Sequence, residues 1–141
     1  MLDVSIGKFT LESLTTGMYS DARIVYREYI QNSVDSLEEA IRNQLLEVSS
    51  VRIDIVVDET KQYIAVRDNG VGITSDAVSS VLLSVGKSQK RHSKNRGFRG
   101  IGRLGGMSYC DTLTFTTSSE GENIATTVSF DCKKLIFKSF L

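Results

Sequence analysis

Apolar residues recur at Tyr26, Ile30, Val34, Leu37 and Ile41. At about 100° per residue these positions share one helical face. The pattern predicts a long helix that starts near Asp21, with Ser20 or Asp21 as its cap, and runs to about Gln44 or Glu47. Ahead of it, Phe9-Thr10-Leu11-Glu12-Ser13-Leu14 reads as a short helical turn, with Thr10 as cap and Gly17 as stop. Val51, Ile53, Ile55 and Val57 then alternate with Arg52 and Asp54, the period of a strand with one buried face. A polar turn from Asp58 to Gln62 leads to a second strand, Tyr63 to Arg67, most simply antiparallel to the first. After Asp68-Asn69-Gly70-Val71-Gly72-Ile73, Thr74 or Ser75 caps another helix, with Val78, Val81, Leu82 and Val85 in helical register and Gly86 as its end.

From Lys87 to Arg96 the chain is polar, basic and aperiodic, the signature of an exposed loop. A short helix from Arg103 to Tyr109 follows, interrupted by Gly105-Gly106. Leu113, Phe115 and Thr117 predict a third strand, and Ile124, Thr126, Val128 and Phe130 a fourth, with a turn from Ser118 to Glu122 between them. Leu135-Ile136-Phe137 begins one more element. Strands come in hairpin-like pairs with helices between the pairs. That order is α+β, a sheet covered by helices on one face, and not an alternating parallel fold.

Composition changes this picture little. A chain of 141 residues is about one domain, and 40% apolar with 24% charged residues excludes a disordered chain. Acids and bases balance, so net charge gives no general argument for nucleic acid or an acidic membrane. The bases are uneven, however: Lys87, Lys90, Arg91, Lys94, Arg96, Arg99 and Arg103 crowd one segment without an acid among them. No apolar run approaches the roughly 18–20 residues of a membrane span, and the N-terminus lacks a signal-peptide pattern. Cys110 and Cys132 have no metal or redox spacing, so two buried thiols in a cytoplasmic protein are expected.

Three stretches carry candidate chemistry. Glu28, Asn32 and Asp35 fall together on the helix face opposite the apolar stripe. A carboxylate, an amide and a second carboxylate can hold a metal ion and activate a water; a solvated polar face has the same pattern. Asp68, at a strand end, can accept a hydrogen bond from an exocyclic amine, while Gly70 and Gly72 let the backbone approach a flat ring; a plain Asp-Asn-Gly turn would look identical. Gly97-x-x-Gly100-x-Gly102 opens a helix, as phosphate-binding loops do, but it fits neither a Walker A loop nor a dinucleotide fingerprint. His92 sits among cations, away from any carboxylate or Cys, and no serine has a hydrolase setting.

Taken in order, Glu28-x-x-x-Asn32-x-x-Asp35, Asp68-x-Gly70-x-Gly72 and Gly97-x-x-Gly100-x-Gly102 resemble the Bergerat-fold (GHKL) ATPases. That superfamily includes DNA gyrase, HtpG-type chaperones, sensor histidine kinases and MutL. The match runs from about Phe9 to Phe130. The resemblance implies a two-layer sandwich, a mostly antiparallel mixed sheet with helices on one face, with ATP between the helices and a lid loop over about 84–100. It implies that Asn32 coordinates Mg²⁺ and that Glu28 deprotonates the attacking water. It places Asp35 near the adenine or behind the groups that touch it, and Asp68 on the adenine amino group. Gly70, Gly72 and Ile73 would shape the base pocket. Gly97, Gly100, Ile101 and Gly102 would face the phosphates, with Lys87 as the lid cation.

Glu28 points to the hydrolysing branches, chaperone-like or MutL-like, because sensor kinases typically lack this acid. A Thr near the phosphates is also usual there, and Thr126 or Thr127 could fill that role. The expected function is Mg²⁺-dependent ATP hydrolysis, slow in the isolated chain, working as a conformational switch. The expected partners are ATP, ADP and a dimer mate or neighbouring transducer domain, the chain being a single ATP-binding domain truncated from a longer protein. A non-catalytic nucleotide-binding module and the ATPase of a DNA-acting protein are the alternatives.

Overall fold

The computed structural model describes residues 21–83 and 102–134. The expected turn at Phe9–Leu14, the end of the second helix at Val85 and Gly86, the loop with Lys87, the glycines Gly97 and Gly100, Ile101, and Leu135 to Phe137 lie outside the described residues.

The long helix α1 spans Ala22–Arg42. Its cap is Asp21, whose side chain accepts a hydrogen bond from Arg23 N at 2.9 Å. This satisfies one of the N–H groups that a helix start leaves without a partner. The helix stops short of the expected Gln44 to Glu47. Gln44 takes a left-handed conformation with φ of 60°, and Leu45 N folds back onto Ala40 O at 2.9 Å. No glycine marks this stop, so the sequence pattern overran it.

Strand β1 (Ile53–Asp58) pairs antiparallel with β2 (Tyr63–Asp68), from Ile53 opposite Asp68 to Asp58 opposite Tyr63. The expected single buried face is not seen: among the described residues Ile55, Val57 and Ile64 remain 55%, 62% and 45% exposed. Helix α2 covers Ser75–Val78 and widens into a π-helical turn at Ser79–Leu83. A 3-10 helix spans Gly102–Ser108 and runs unbroken through Gly105 and Gly106. Those glycines do not interrupt it; both are buried, and a side chain at Gly106 would collide with Tyr29 Oη. Strand β3 (Thr112–Thr117) pairs antiparallel with β4 (Thr126–Asp131). Ile124 precedes that strand and is 73% exposed. The α+β class holds, with the strands forming two separate antiparallel hairpins among the described residues.

The main core lies between α1, the 3-10 helix and the β3–β4 hairpin. Val25, Leu104, Met107, Phe130 and Cys132 are buried there, with Tyr29, Leu113, Phe115 and Val128 packed around them. Tyr29 meets Phe115 edge-on at a centroid distance of 6.4 Å, and Phe115 meets Phe130 likewise at 6.3 Å. Such pairs contribute about 0.5–1.5 kcal/mol beyond the area they bury.

The buried stripe of α1 therefore differs from the expected one. It consists of Val25, Ser33, Leu37 and Ala40. Tyr26 is exposed, and Ile30 and Val34 line a shallow groove with Arg23, Arg27 and Gln31. Counting apolar residues alone misplaces the face, because its centre includes a buried serine.

Candidate functional site

The rotation of α1 leaves Glu28, Asn32 and Asp35 half-buried at the edge of the core rather than opposite it. Among the described residues neither Glu28 nor the Asn32 amide makes a hydrogen bond or ion pair. Half-buried polar groups without partners are costly unless water or a ligand completes them. The 3-10 helix brings Gly102 to the same place: a Cβ on Gly102 would lie 2.7 Å from Glu28 Oε2. Tyr29, the next residue of α1, fixes this approach by accepting a hydrogen bond from Gly106 N at 3.0 Å. Two residues far apart in sequence, Glu28 and Gly102, thus meet because the aromatic core locks the 3-10 helix onto α1.

Asp35 accepts a hydrogen bond from Gln31 Nε2 at 2.9 Å. Its charge also acts, without an ion pair, on Arg103, a half-buried cation that the sequence offered only as part of a basic run. Burial pushes the Arg103 guanidinium down from its ordinary value, and the Asp35 carboxylate pushes it back up. The site therefore holds a desolvated positive charge directly after Gly102.

Asp68 ends β2 beside the middle of α1. Its Oδ2 accepts a hydrogen bond from Ser33 Oγ at 2.8 Å, and its Oδ1 accepts one from Gly70 N at 3.0 Å. The second bond is the local turn that the Asp-Asn-Gly sequence foresees. The first was not foreseen. Ser33 is only 5% exposed and is the buried polar residue at the centre of the helix face. Its sole sequence signal is a hydroxyl one position after Asn32. Asn69 turns the other way, accepting from Arg52 N and donating to Ser50 O, each at 2.8 Å.

Gly70 and Gly72 have packing reasons of their own. A Cβ on Gly70 would run into Ser36, and one on Gly72, at φ of 67°, would run into the Ser118 carbonyl. Between them Val71 N donates to Ser36 O at 3.3 Å. The loop is thus pressed between α1 and the β3–β4 hairpin. Ile73 sits at its end, its N–H donated to Thr117 Oγ1 at 2.8 Å. Of the two threonines considered for a phosphate-side role, Thr126 is half-buried opposite Thr117 and Thr127 is exposed, bonded to Thr116 at 3.0 Å.

Among the described residues no group of three or more acidic, His or Cys side chains could hold a metal ion. Asn32 lies one turn from Glu28 on α1. No helix among these residues is long and apolar enough to cross a membrane.

Glu28 and Asn32 on α1, Asp68 at the end of β2 and the close-packed Gly70–Gly72 loop thus lie around the same helix. Residues 19–139 match the family described as histidine kinase-, DNA gyrase B-, and HSP90-like ATPase, and the chain belongs to it. It is similar to the chaperone protein HtpG of Mycolicibacterium vanbaalenii, at 32% identity over 136 residues. HtpG of Mycobacterium tuberculosis is also 32% identical, and that of Rhodococcus jostii 30%. These matches cover 82% of this chain but only 21% of the length of the relatives. The resemblance drawn from the three motifs is borne out, on the HtpG-like branch.

Proposed function

We propose that this chain binds ATP with Mg²⁺ and cleaves its terminal phosphate, as the nucleotide-driven switch of a larger chaperone-like protein. The observation that carries the reading is the pair Glu28 and Asn32: half-buried, one turn apart, without hydrogen-bond or ion-pair partners among the described residues, with Gly102 against the Glu28 carboxylate. Glu28 orients a water and takes its proton as that water attacks the γ-phosphate. Asn32 would hold Mg²⁺, which would supply charge neutralisation on the transferring group. Asp68, held by Ser33 and Gly70, accepts the adenine amino group with its remaining lone pairs. Arg103 adds positive charge beside the phosphates; for Lys87, Gly97, Gly100 and Ile101, outside the described residues, a phosphate-binding role rests on the family resemblance alone. Asp35 orders Arg103 from behind. Family membership and the similarity to HtpG support ATP chemistry at the level of the superfamily. Coupling to a dimer mate or transducer domain and a cytoplasmic setting belong to the same proposal.

The test compares wild type with Asp68→Asn by calorimetric titration of ATP and GTP, with and without Mg²⁺. Wild type binds ATP in preference to GTP, and more tightly with Mg²⁺. Asp68→Asn loses about tenfold in ATP affinity, the worth of about one charge-assisted hydrogen bond. Equal ATP affinity in the two proteins would remove Asp68 from the base pocket.

A further inference from the structure

The loop that follows Asp68 is held by more than its own turn. Three hairpin residues reach across to its backbone. Thr117 Oγ1 accepts from Ile73 N at 2.8 Å and donates to Ile73 O at 3.4 Å. Ser119 Oγ donates to Val71 O at 2.9 Å. Glu122 accepts from Ser75 N at 2.7 Å and, with its other oxygen, from Ser119 N at 2.9 Å. These backbone N–H groups, that of Ser75 first, hold the Glu122 carboxyl below its usual range. Every second backbone unit from Val71 to Ser75 is therefore bound by a side chain of the hairpin. None of these bonds belongs to a strand ladder, since β3 pairs only with β4 among the described residues. The partners lie 44 to 48 residues apart, so the bracket exists only in the folded chain.

The bracket also explains why Gly72 must lack a side chain, as the Ser118 carbonyl lies where its Cβ would go. On the opposite side the loop rests on Ser36 of α1. The segment that carries Gly70, Gly72 and Ile73 is thus set by two elements at once. Its distance from Asp68 is fixed by the hairpin as much as by the turn.

We propose that Thr117 is a positioning residue for the nucleotide base: with Ser119 and Glu122 it fixes the Val71–Ser75 backbone so that the base pocket beside Asp68 is preformed. This rests on the reading of the Asp68 loop as the adenine side of the site. Glu28 and Asn32 are held by α1 and the 3-10 helix, not by this bracket. Loss of the bracket therefore weakens base binding and spares the cleavage step. A general weakening of the fold would instead affect both.

Thr117→Val keeps the side-chain shape but removes the acceptor of the Ile73 N–H and the donor to its carbonyl. Thr117→Ser keeps both. In the purified chain, adenosine and ADP affinity fall about tenfold in Thr117→Val and return to within about threefold of wild type in Thr117→Ser. With ATP the apparent KM rises while single-turnover cleavage of bound ATP stays within about twofold. In nucleotide-free protein, hydrogen exchange at the Ile73 amide speeds up in Thr117→Val and not in Thr117→Ser. Should Thr117→Val fail to fold, Ser119→Ala carries the same comparison through Val71. Adenosine affinity in Thr117→Val equal to wild type, or a Thr117→Ser variant as weak as Thr117→Val, overturns the inference. A wild-type chain that binds no adenosine overturns the ATP reading itself, before any variant is compared.

Discussion

Gly72 and Gly121 make a matched pair for measuring how tightly the loop after Asp68 is packed. Both take left-handed backbone conformations, with φ of 67° and 83°. A Cβ on Gly121 meets nothing within 4 Å, whereas one on Gly72 meets the Ser118 carbonyl. Gly121→Ala therefore carries only the cost of forcing alanine into the left-handed region, about 1 kcal/mol. Gly72→Ala carries that cost and must also move a backbone carbonyl. The loop or the hairpin tip has to shift, and the Thr117–Ile73 bond, worth about 1 kcal/mol, is lost with it. The total is about 3 kcal/mol, so the two variants differ by about 2 kcal/mol. Urea denaturation with a shared slope reads this difference directly. Nucleotide affinity gives a second readout, falling in Gly72→Ala and unchanged in Gly121→Ala. Equal destabilisation in the two variants, within about 0.5 kcal/mol, would refute the close approach of hairpin and loop.

Ser33→Ala removes one of the two hydrogen bonds on Asp68, lowers ATP affinity about fivefold, measured by calorimetry, and lowers the unfolding free energy by about 1 kcal/mol. Asp35→Asn removes a negative charge that acts on half-buried Arg103; a double-mutant cycle with Arg103→Met, followed by urea denaturation, returns a coupling of about 0.5 kcal/mol, and simple additivity would contradict the interaction. Burial first, and then the neighbouring Cys132, push the Cys110 thiol from 9.0 up to about 12. The unfolded chain thus gives up this proton more easily than the folded one, so stability is intact below pH 9.0 and is lost as pH rises towards about 12. Cys110→Ala flattens that alkaline limb in denaturation curves recorded across the range, and a limb of unchanged slope would contradict the assignment.

The parts of the site legible in the sequence are those set by local spacing. Glu28, Asn32 and Asp35 share a helix edge because steps of three and four residues return to it, and Asp68-Asn69-Gly70 makes its own turn. What the sequence hid depends on distant partners. Ser33 is buried because Asp68 lies against it, and that pairing spans 35 residues. Arg103 looked like one more base in a basic run until the 3-10 helix half-buried it within reach of the Asp35 charge. Gly70 and Gly72 looked like room for a ligand, while the folded chain shows them first as room for Ser36 and Ser118. The α+β class was legible from the paired strands. The buried face of α1 was not, because Tyr26 and Ile30 fit a 3.6-residue period as well as Val25 and Tyr29 do, and only the position of Phe115 and Leu104 decides between them.

The central claim is that Glu28 is the base of an ATPase site rather than a surface acid. Its most direct measurement is paired ATP binding and single-turnover phosphate release, in the presence of Mg²⁺, for wild type and Glu28→Ala. The account predicts ATP affinity within about threefold of wild type and a release rate lower by about 10²-fold or more, the usual worth of a general base. Equal release from both proteins would contradict it.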